Sequence, residues 1–217
     1  MELHKVSNLV FSSSCTVYGQ PSQLPVTEDT PFALAESPYG HTKQIGEDIL
    51  NHTTRTNGSL QALSLRYFNP VGAHPSALIG ELPIGMPANL VPFITQTVAG
   101  LRSKLKVYGN DYNTFDGTCV RDYIHVVDLA KAHVSALSHI LSCKKIKTAY
   151  NIGVGKGVSV QEVIDSFEKV NDIKISYKIG SRRAGDVEEI YSDNTKINTE
   201  LNWFPVMSFE SALKTAW

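Results

Sequence analysis

Ser37-Pro38-Tyr39-Gly40-His41-Thr42-Lys43, taken with Ser12-Ser13-Ser14 upstream, organises the chain. Ser37 is a good helix N-cap, and Pro38 suits the first helical position, where a missing N–H costs nothing. The sequence therefore predicts a helix from Pro38 toward His52. Tyr39 and Lys43 then stand one turn apart on the same face. A tyrosine of ordinary pKa, about 10, is a poor base at neutral pH, and moving it near 7 takes about 4 kcal/mol of preference for the phenolate. One cation about 4 Å away supplies an amount of that order at an effective dielectric of about 20. The pair is chemically sufficient for proton transfer. With nine tyrosines in the chain its spacing alone is not specific, so the surrounding residues must carry the rest.

Asn8-Leu9-Val10-Phe11 reads as a short buried strand ending in the three serines. Gln61-Ala62-Leu63-Ser64-Leu65-Arg66 reads as a second, ending in Tyr67-Phe68-Asn69-Pro70-Val71-Gly72. The residues before Asn8 read as the tail of a helix, and residues 21–38, with four prolines, as a surface loop. The intervening helix is expected to bury Ile45, Ile49 and Leu50. Strand, helix and strand at this spacing form a βαβ unit and imply a parallel sheet. Ligands sit at the carboxyl ends of such strands, which makes the serine row a site candidate; serines also end strands simply by bonding the backbone.

Residues 73–89 are rich in proline and glycine and lack periodicity, placing a lobe boundary between residues 1–72 and 73–217. Residues 90–101 read as an apolar helix with Pro92 tolerated in its first turn, Leu105-Lys106-Val107-Tyr108 as a strand, and residues 109–118 as a polar loop. Tyr123-Ile124-His125-Val126 reads as a strand, and Asp128 as the cap of a helix through Ala130, Val134, Leu137 and Ile140. Ala149-Tyr150-Asn151-Ile152 is a strand entering Gly153-Val154-Gly155-Lys156-Gly157. A dinucleotide fingerprint would need a third glycine where Val158 stands, and Ser159-Val160-Gln161-Glu162 is a capping box, so the turn reads as ordinary strand-to-helix chemistry. Residues 175–179 read as a strand, Arg182-Arg183-Ala184-Gly185-Asp186 as a basic turn, and residues 193–217 as mostly two short helices.

Composition narrows the function classes. A chain of 217 residues can bury one core, or one core and a small second lobe. Its net charge is -1 with both signs interspersed, which argues against a nucleic-acid partner. Without an apolar run of membrane length or a signal peptide, the expected setting is cytoplasmic, with no membrane partner. Cys15, Cys119 and Cys143 are an odd, scattered set that argues against a disulfide framework, and the seven histidines lack metal-ligand spacing.

The motifs above, extended as Phe11-Ser12-Ser13-Ser14-Cys15-Thr16-Val17-Tyr18-Gly19 and Arg66-Tyr67-Phe68-Asn69-Pro70-Val71-Gly72-Ala73-His74-Pro75, are joined by two more: Tyr108-Gly109-Asn110-Asp111-Tyr112 and Gly117-Thr118-Cys119-Val120-Arg121-Asp122-Tyr123-Ile124-His125-Val126. Their order and spacing over essentially the whole chain resemble the UDP-galactose 4-epimerases, which are extended short-chain dehydrogenases/reductases. The resemblance implies an α/β fold: an incomplete doubly wound parallel (Rossmann-like) sheet plus a smaller mixed α/β substrate-binding lobe. Residues 1–72 would be the C-terminal half of the NAD-binding domain. Residues 73–217 would be mainly the sugar-nucleotide lobe, with segments returning to the first.

It also implies NAD as cofactor and a UDP-hexose as substrate, UDP-galactose and UDP-glucose being interconverted at C4 through a 4-keto sugar. By this resemblance Tyr39 takes the proton of the 4-hydroxyl, Ser14 bridges sugar and tyrosine, and Lys43 holds the nicotinamide ribose and favours the phenolate. Ser12 and Tyr67 would lie against the cofactor. Asn69, Asn89, Leu90, Tyr108, Arg121, Arg183 and Asp186 would hold the diphosphate and uridine; arginine forks suit phosphate oxygens, and a carboxylate suits ribose hydroxyls. Related 4,6-dehydratases carry an Asp and a Glu at the positions of Cys15 and Thr16, and related decarboxylases a Glu at that of Thr16. Lacking those carboxyls, the chain is expected to epimerise. Ile190, at a position bordering the family's sugar pocket, is of intermediate bulk and implies preference for UDP-galactose and UDP-glucose over N-acetylated sugars.

The family's glycine-rich fingerprint, its adenosine-ribose acid and its first strands have no counterpart here. Only the tail of the helix that pairs with the Tyr39 helix across the family's homodimer would precede Val6. The expectation is a chain that alone neither binds NAD tightly nor epimerises, and that exposes apolar surface and aggregates. The rival expectation is a noncatalytic truncated isoform or pseudoenzyme that binds a sugar nucleotide or a full-length subunit.

Overall fold

The computed structural model describes residues 1–56, 59–143 and 147–217. Its strands are β1 (Asn8–Ser12), β2 (Gln61–Tyr67), β3 (Asn69–Val71), β4 (Leu105–Tyr108), β5 (Val120–His125), β6 (Lys147–Ile152), β7 (Gly157–Ser159), β8 (Tyr177–Gly180) and β9 (Glu189–Ile190). Its helices are α1 (Pro38–Thr56), α2 (Leu90–Val98), α3 (Val126–Ser142), α4 (Val160–Asn171), α5 (Thr195–Leu201) and α6 (Phe209–Ala216). The expected βαβ unit is present, with β1 and β2 parallel from Asn8 opposite Gln61 to Ser12 opposite Leu65. β6 joins β2, also in parallel, giving the order β1-β2-β6. In the second sheet β5 pairs with β3 and β9 in parallel and with β7 antiparallel, while β4 and β8 form a separate parallel pair. This is the Rossmann-like parallel sheet with a smaller mixed α/β part that the motifs imply.

The near-continuous apolar run of β2 is buried because both its faces are covered. Leu63 and Leu65 pack with Ala132, Ala136 and Ile140 of α3 and with Ile197 and Trp203. A second core joins Ile94, Leu105, Val107, Ile164, Phe167 and Leu213, and a third, smaller one joins Cys15, Val17, Tyr18, Phe68 and Ile190.

Ser37 caps α1 as expected, its Oγ accepting from Gly40 N at 3.1 Å, and the helix runs past His52 to Thr56. Ile45 and Ile49 are not buried; they are 46% and 58% exposed. The inward face of α1 is instead built from Gly40, Gly46 and Glu47. A Cβ on Gly46 would come within 2.7 Å of the Phe11 ring, so glycine lets the helix close on β1 and turns the isoleucines outward. Asp128 is not the cap of α3. The helix begins at Val126, where His125 Nδ1 accepts from Val127 N at 3.1 Å. Asp128 sits buried in the first turn and accepts from Val206 N and Met207 N, at 2.8 and 2.7 Å, tying α3 to the segment between α5 and α6. Residues 1–7 hold a single 3-10 turn, α2 ends at Val98, and the strand expected at 175–179 lies at Tyr177–Gly180, in register with β4.

The glycine turn after β6 has a physical explanation. Asp122 of β5 is fully buried, and its carboxylate accepts from Val154 N at 2.7 Å and Gly155 N at 3.0 Å, and from the N and Oγ of Ser192 at 3.1 and 2.6 Å. The amides that could cradle a phosphate are already satisfied from within, and the Ser159–Glu162 capping box completes the turn into α4. Replacing Asp122 with alanine strands these buried donors. The chain should lose about 3 kcal/mol of stability, read as a lower urea midpoint at an unchanged m-value.

Candidate functional site

Ser12, Ser13 and Ser14 each tie the end of β1 to something different. The Ser12 carbonyl accepts from Lys43 Nζ at 2.8 Å, and Ser12 Oγ lies 3.1 Å from His133 Nε2. His133 Nδ1 lies 2.9 Å from the Leu129 carbonyl, which can only accept, so Nδ1 carries the proton and Nε2 accepts from the Ser12 hydroxyl. Ser13 Oγ donates to Glu47 Oε1 at 2.5 Å. Ser14 caps a 3-10 turn over Cys15–Tyr18, its Oγ accepting from Thr16 N and Thr16 Oγ1 at 3.3 and 3.0 Å. Above this tip, Lys43 Nζ lies 5.4 Å from the centre of the Tyr39 ring and 5.3 Å from that of Phe11. Tyr39 is half exposed. Burial, then the charge and hydrogen bond of Tyr39, push the Tyr67 phenol above the ordinary tyrosine value.

Beneath the tip runs a buried polar chain. Glu47 takes Arg66 Nε at 3.0 Å and Nη2 at 2.7 Å, while Arg66 Nη1 donates to Tyr18 OH and to the Glu28 carbonyl, each at 3.0 Å. Tyr18 OH in turn donates to Asn151 Oδ1 at 2.6 Å. Burial opposes the charge on Arg66, but the hydrogen bonds and charge of Glu47 and Tyr18 outweigh it and hold the guanidinium firmly protonated. Ser13 belongs to the serine row that the sequence marks as a site candidate, whereas Glu47 and Arg66 are not among its candidates. The signal was available: Glu47 is a carboxylate two turns past Tyr39 on the inward stripe of α1, and Arg66 is a charge inside an apolar strand.

From Tyr39 a cavity of about 530 Å³ extends along Cys15, Thr16, Gly19 and Ile190 to Asn69, Asn89, Arg121, Arg183 and Asp186. The last five also line an adjoining cavity of about 380 Å³, which continues over Leu90, Phe93, Val107 and Tyr108. The two form one cleft. Asn89 stands at the N-cap of α2 without using its side chain to cap, which leaves the amide for the cleft. Arg183 pairs with Asp186 at 2.6 Å, and Arg121 approaches the same carboxylate at 4.0 Å. Arg183 also lies 5.5 Å from the Tyr108 ring centre. The structure thus brings Tyr39, Asn69, Asn89, Leu90, Tyr108, Arg121, Arg183 and Asp186 to one cleft. Ser12, Ser14, Lys43 and Tyr67 are not among the residues lining either cavity, although Lys43 lies beside Tyr39 at its inner end.

Residues 1–216 match the family model described as GDP-mannose 4,6 dehydratase, and the chain belongs to that family. Within it the likeness is to UDP-glucose 4-epimerases. The chain is 49% identical over 217 residues to the UDP-glucose 4-epimerase of Dictyostelium discoideum, covering 100% of this chain and 63% of that protein. The UDP-glucose 4-epimerase of Stenotrophomonas maltophila, solved with bound NAD and formylated UDP-arabinopyranose, superposes at TM-score 0.96 with 44% identity, covering 100% of this chain and 64% of that one. That of Bifidobacterium longum, in complex with NAD+ and UDP, gives 0.95 and 45% at the same coverage. The chain spans less than two thirds of the length of these relatives. Among the described residues no helix is long and apolar enough to cross a membrane, and no group of three or more His, Cys, Asp or Glu could hold a metal ion.

Burial pushes the Cys15 thiol up to about 12, and Cys119 is raised for the same reason. A raised thiol pKa means less thiolate at every pH below it, so neither thiol supplies an acid–base partner at neutral pH. With Cys143 the least buried of the three, a disulfide-exchange reagent at pH 8 should modify Cys143 quickly. Cys15 and Cys119 should react only after denaturation, as read by peptide mapping of the labelled chain.

Proposed function

We propose that the cleft binds a UDP-hexose with its sugar beside Tyr39, and that the chain carries the substrate determinants and proton-transfer residues of a UDP-glucose 4-epimerase. The observation that supports this best is the single cleft joining the Tyr39 phenol to a pair of arginines that share one carboxylate. Arginine forks suit the diphosphate, and Asp186 suits ribose hydroxyls. Tyr39 removes the proton of the sugar 4-hydroxyl as the C4 carbonyl forms and returns it after the 4-keto sugar has turned. Ser14 bridges the sugar oxygen and the phenol. NAD, if bound, would supply the hydride acceptor for C4. The residues at the inner end fit its nicotinamide ribose, because Lys43 uses one N–H on the Ser12 carbonyl and keeps two donors, with Ser12 and Tyr67 alongside. The Gly153–Gly155 turn does not fit a dinucleotide phosphate, since Asp122 takes its amides.

Cys15 and Thr16 stand on the cleft wall without a carboxyl group, which supports epimerisation over elimination of water. Three free cysteines support a reducing, cytoplasmic setting. With the chain fused to the portion of its relatives that it does not span, and NAD and UDP-galactose supplied, formation of UDP-glucose should fall by about 100-fold or more in Tyr39→Phe, with sugar-nucleotide binding retained. Full-rate turnover by that variant would remove Tyr39 from the chemistry.

The coverage of the relatives, under two thirds, favours one second reading: a noncatalytic chain that binds a sugar nucleotide or a full-length subunit. Binding of UDP-glucose with no turnover even in that unsubstituted fusion is the result that selects it. In either reading Ile190, 3% exposed and on the wall near Cys15, limits the room beside the sugar. UDP-galactose should therefore be preferred to UDP-N-acetylgalactosamine, and comparable turnover, or in the binding reading comparable affinity, would count against this.

A further inference from the structure

The outer end of the cleft contains a cation that the proposed function leaves without a role. Lys106 lies in the middle of β4; its neighbours Leu105 and Val107 turn into the core, and Tyr108 shares its own face. Its stem leans along the strand and crosses Gly180, the residue in register with Tyr108. A Cβ at Gly180 would overlap Lys106 Cε, so the glycine keeps open the path that the lysine takes. The ammonium ends 4.6 Å from the centre of the Tyr108 ring.

Lys106, Arg121 and Arg183 are the cations lining this cavity, and Asp186 is its carboxylate. Asp186 is shared by the two arginines, and among the described residues Lys106 forms no ion pair. Arg121 and Arg183 line both parts of the cleft, whereas Lys106 lines only the part remote from Tyr39, beside Leu90, Phe93 and Val107. If the hexose sits at Tyr39 and the diphosphate at the arginines, the apolar outer end is left for the base.

Resting on that reading of the cleft, we propose that Lys106 is a specificity-determining residue that donates to the carbonyl edge of a uracil base and so selects uracil over cytosine. An ammonium has three donors and no acceptor. Uracil presents carbonyl oxygens on both sides of its ring nitrogen, where cytosine places an amino group at one of them. Two donors would then face each other, and discrimination follows from the contact left unmade.

The test is calorimetric titration of UDP and CDP into the full chain and its Lys106→Met and Arg183→Gln variants. The unsubstituted chain should bind UDP more tightly than CDP. Lys106→Met, which keeps the aliphatic stem, should weaken UDP by about 5- to 10-fold and CDP by less than about twofold, erasing most of the preference. Arg183→Gln should weaken both nucleotides alike. Equal loss of UDP and CDP in Lys106→Met would overturn the proposal, because it would mark a general attraction for phosphate. An unchanged UDP affinity in that variant would overturn it as well while leaving the cleft reading intact. Failure of UDP to bind the unsubstituted chain would overturn the cleft reading and the role of Lys106 with it.

Discussion

The buried pairing of Glu47 with Arg66 is the constraint on which the inner end of the cleft depends. Both side chains are more than nine-tenths buried, and each would be costly alone: removing either member of such a pair leaves an uncompensated charge. Because Glu47 belongs to α1 and Arg66 to β2, their bidentate contact fixes the helix against the sheet. Ser13 adds the tip of β1 to the same carboxylate, and Lys43 fastens to the adjacent residue, Ser12. Tyr39 stands at the free end of a helix held at two successive turns. Its position is therefore set by charge and hydrogen bonding, while apolar packing on that helix is sparse.

The outer end is built differently. Arg121 comes from β5, Arg183 and Asp186 from the turn after β8, Asn89 from the start of α2 and Tyr108 from the end of β4. The strands among these, β4 and β5, belong to sheets separate from that of β1 and β2. Asp186 balances one arginine at contact distance and lies farther from the other, so the cleft keeps a surplus of positive charge at its middle. A ligand that spans it meets a phenol at one end, two arginines in the middle and an apolar recess at the other. A nucleotide diphosphate joined to a sugar has groups that match these in sequence.

Much of this was legible in the sequence. The βαβ unit around Pro38 followed from Ser-Pro capping and two short apolar runs, and the capping box at Ser159 was read correctly because it depends on local chemistry. Eight of the predicted binding and catalytic positions converge on one cleft although they are spread from Tyr39 to Asp186. What escaped depended on tertiary partners. Ile45 and Ile49 fit a buried stripe by periodicity, but Gly40, Gly46 and Glu47 make the other face the closer-fitting one. Asp128 looked like a cap because acidic residues favour helix starts; His125 took that place, and the carboxylate serves two distant amides. The role of Lys106 could not be read from β4 alone, since it depends on Gly180 across a strand pair.

Asp122 has one more consequence. Consecutive amides in a glycine turn often act as a socket that becomes ordered only when an anion arrives from solution. Here the anion is covalently part of the chain, delivered by β5 into the turn after β6, so its local concentration does not depend on any metabolite. The loop is a latch that is always closed. Its order comes with folding rather than with ligand, and Ser192, held by the same carboxylate, places the segment carrying Ile190 before anything enters the cleft.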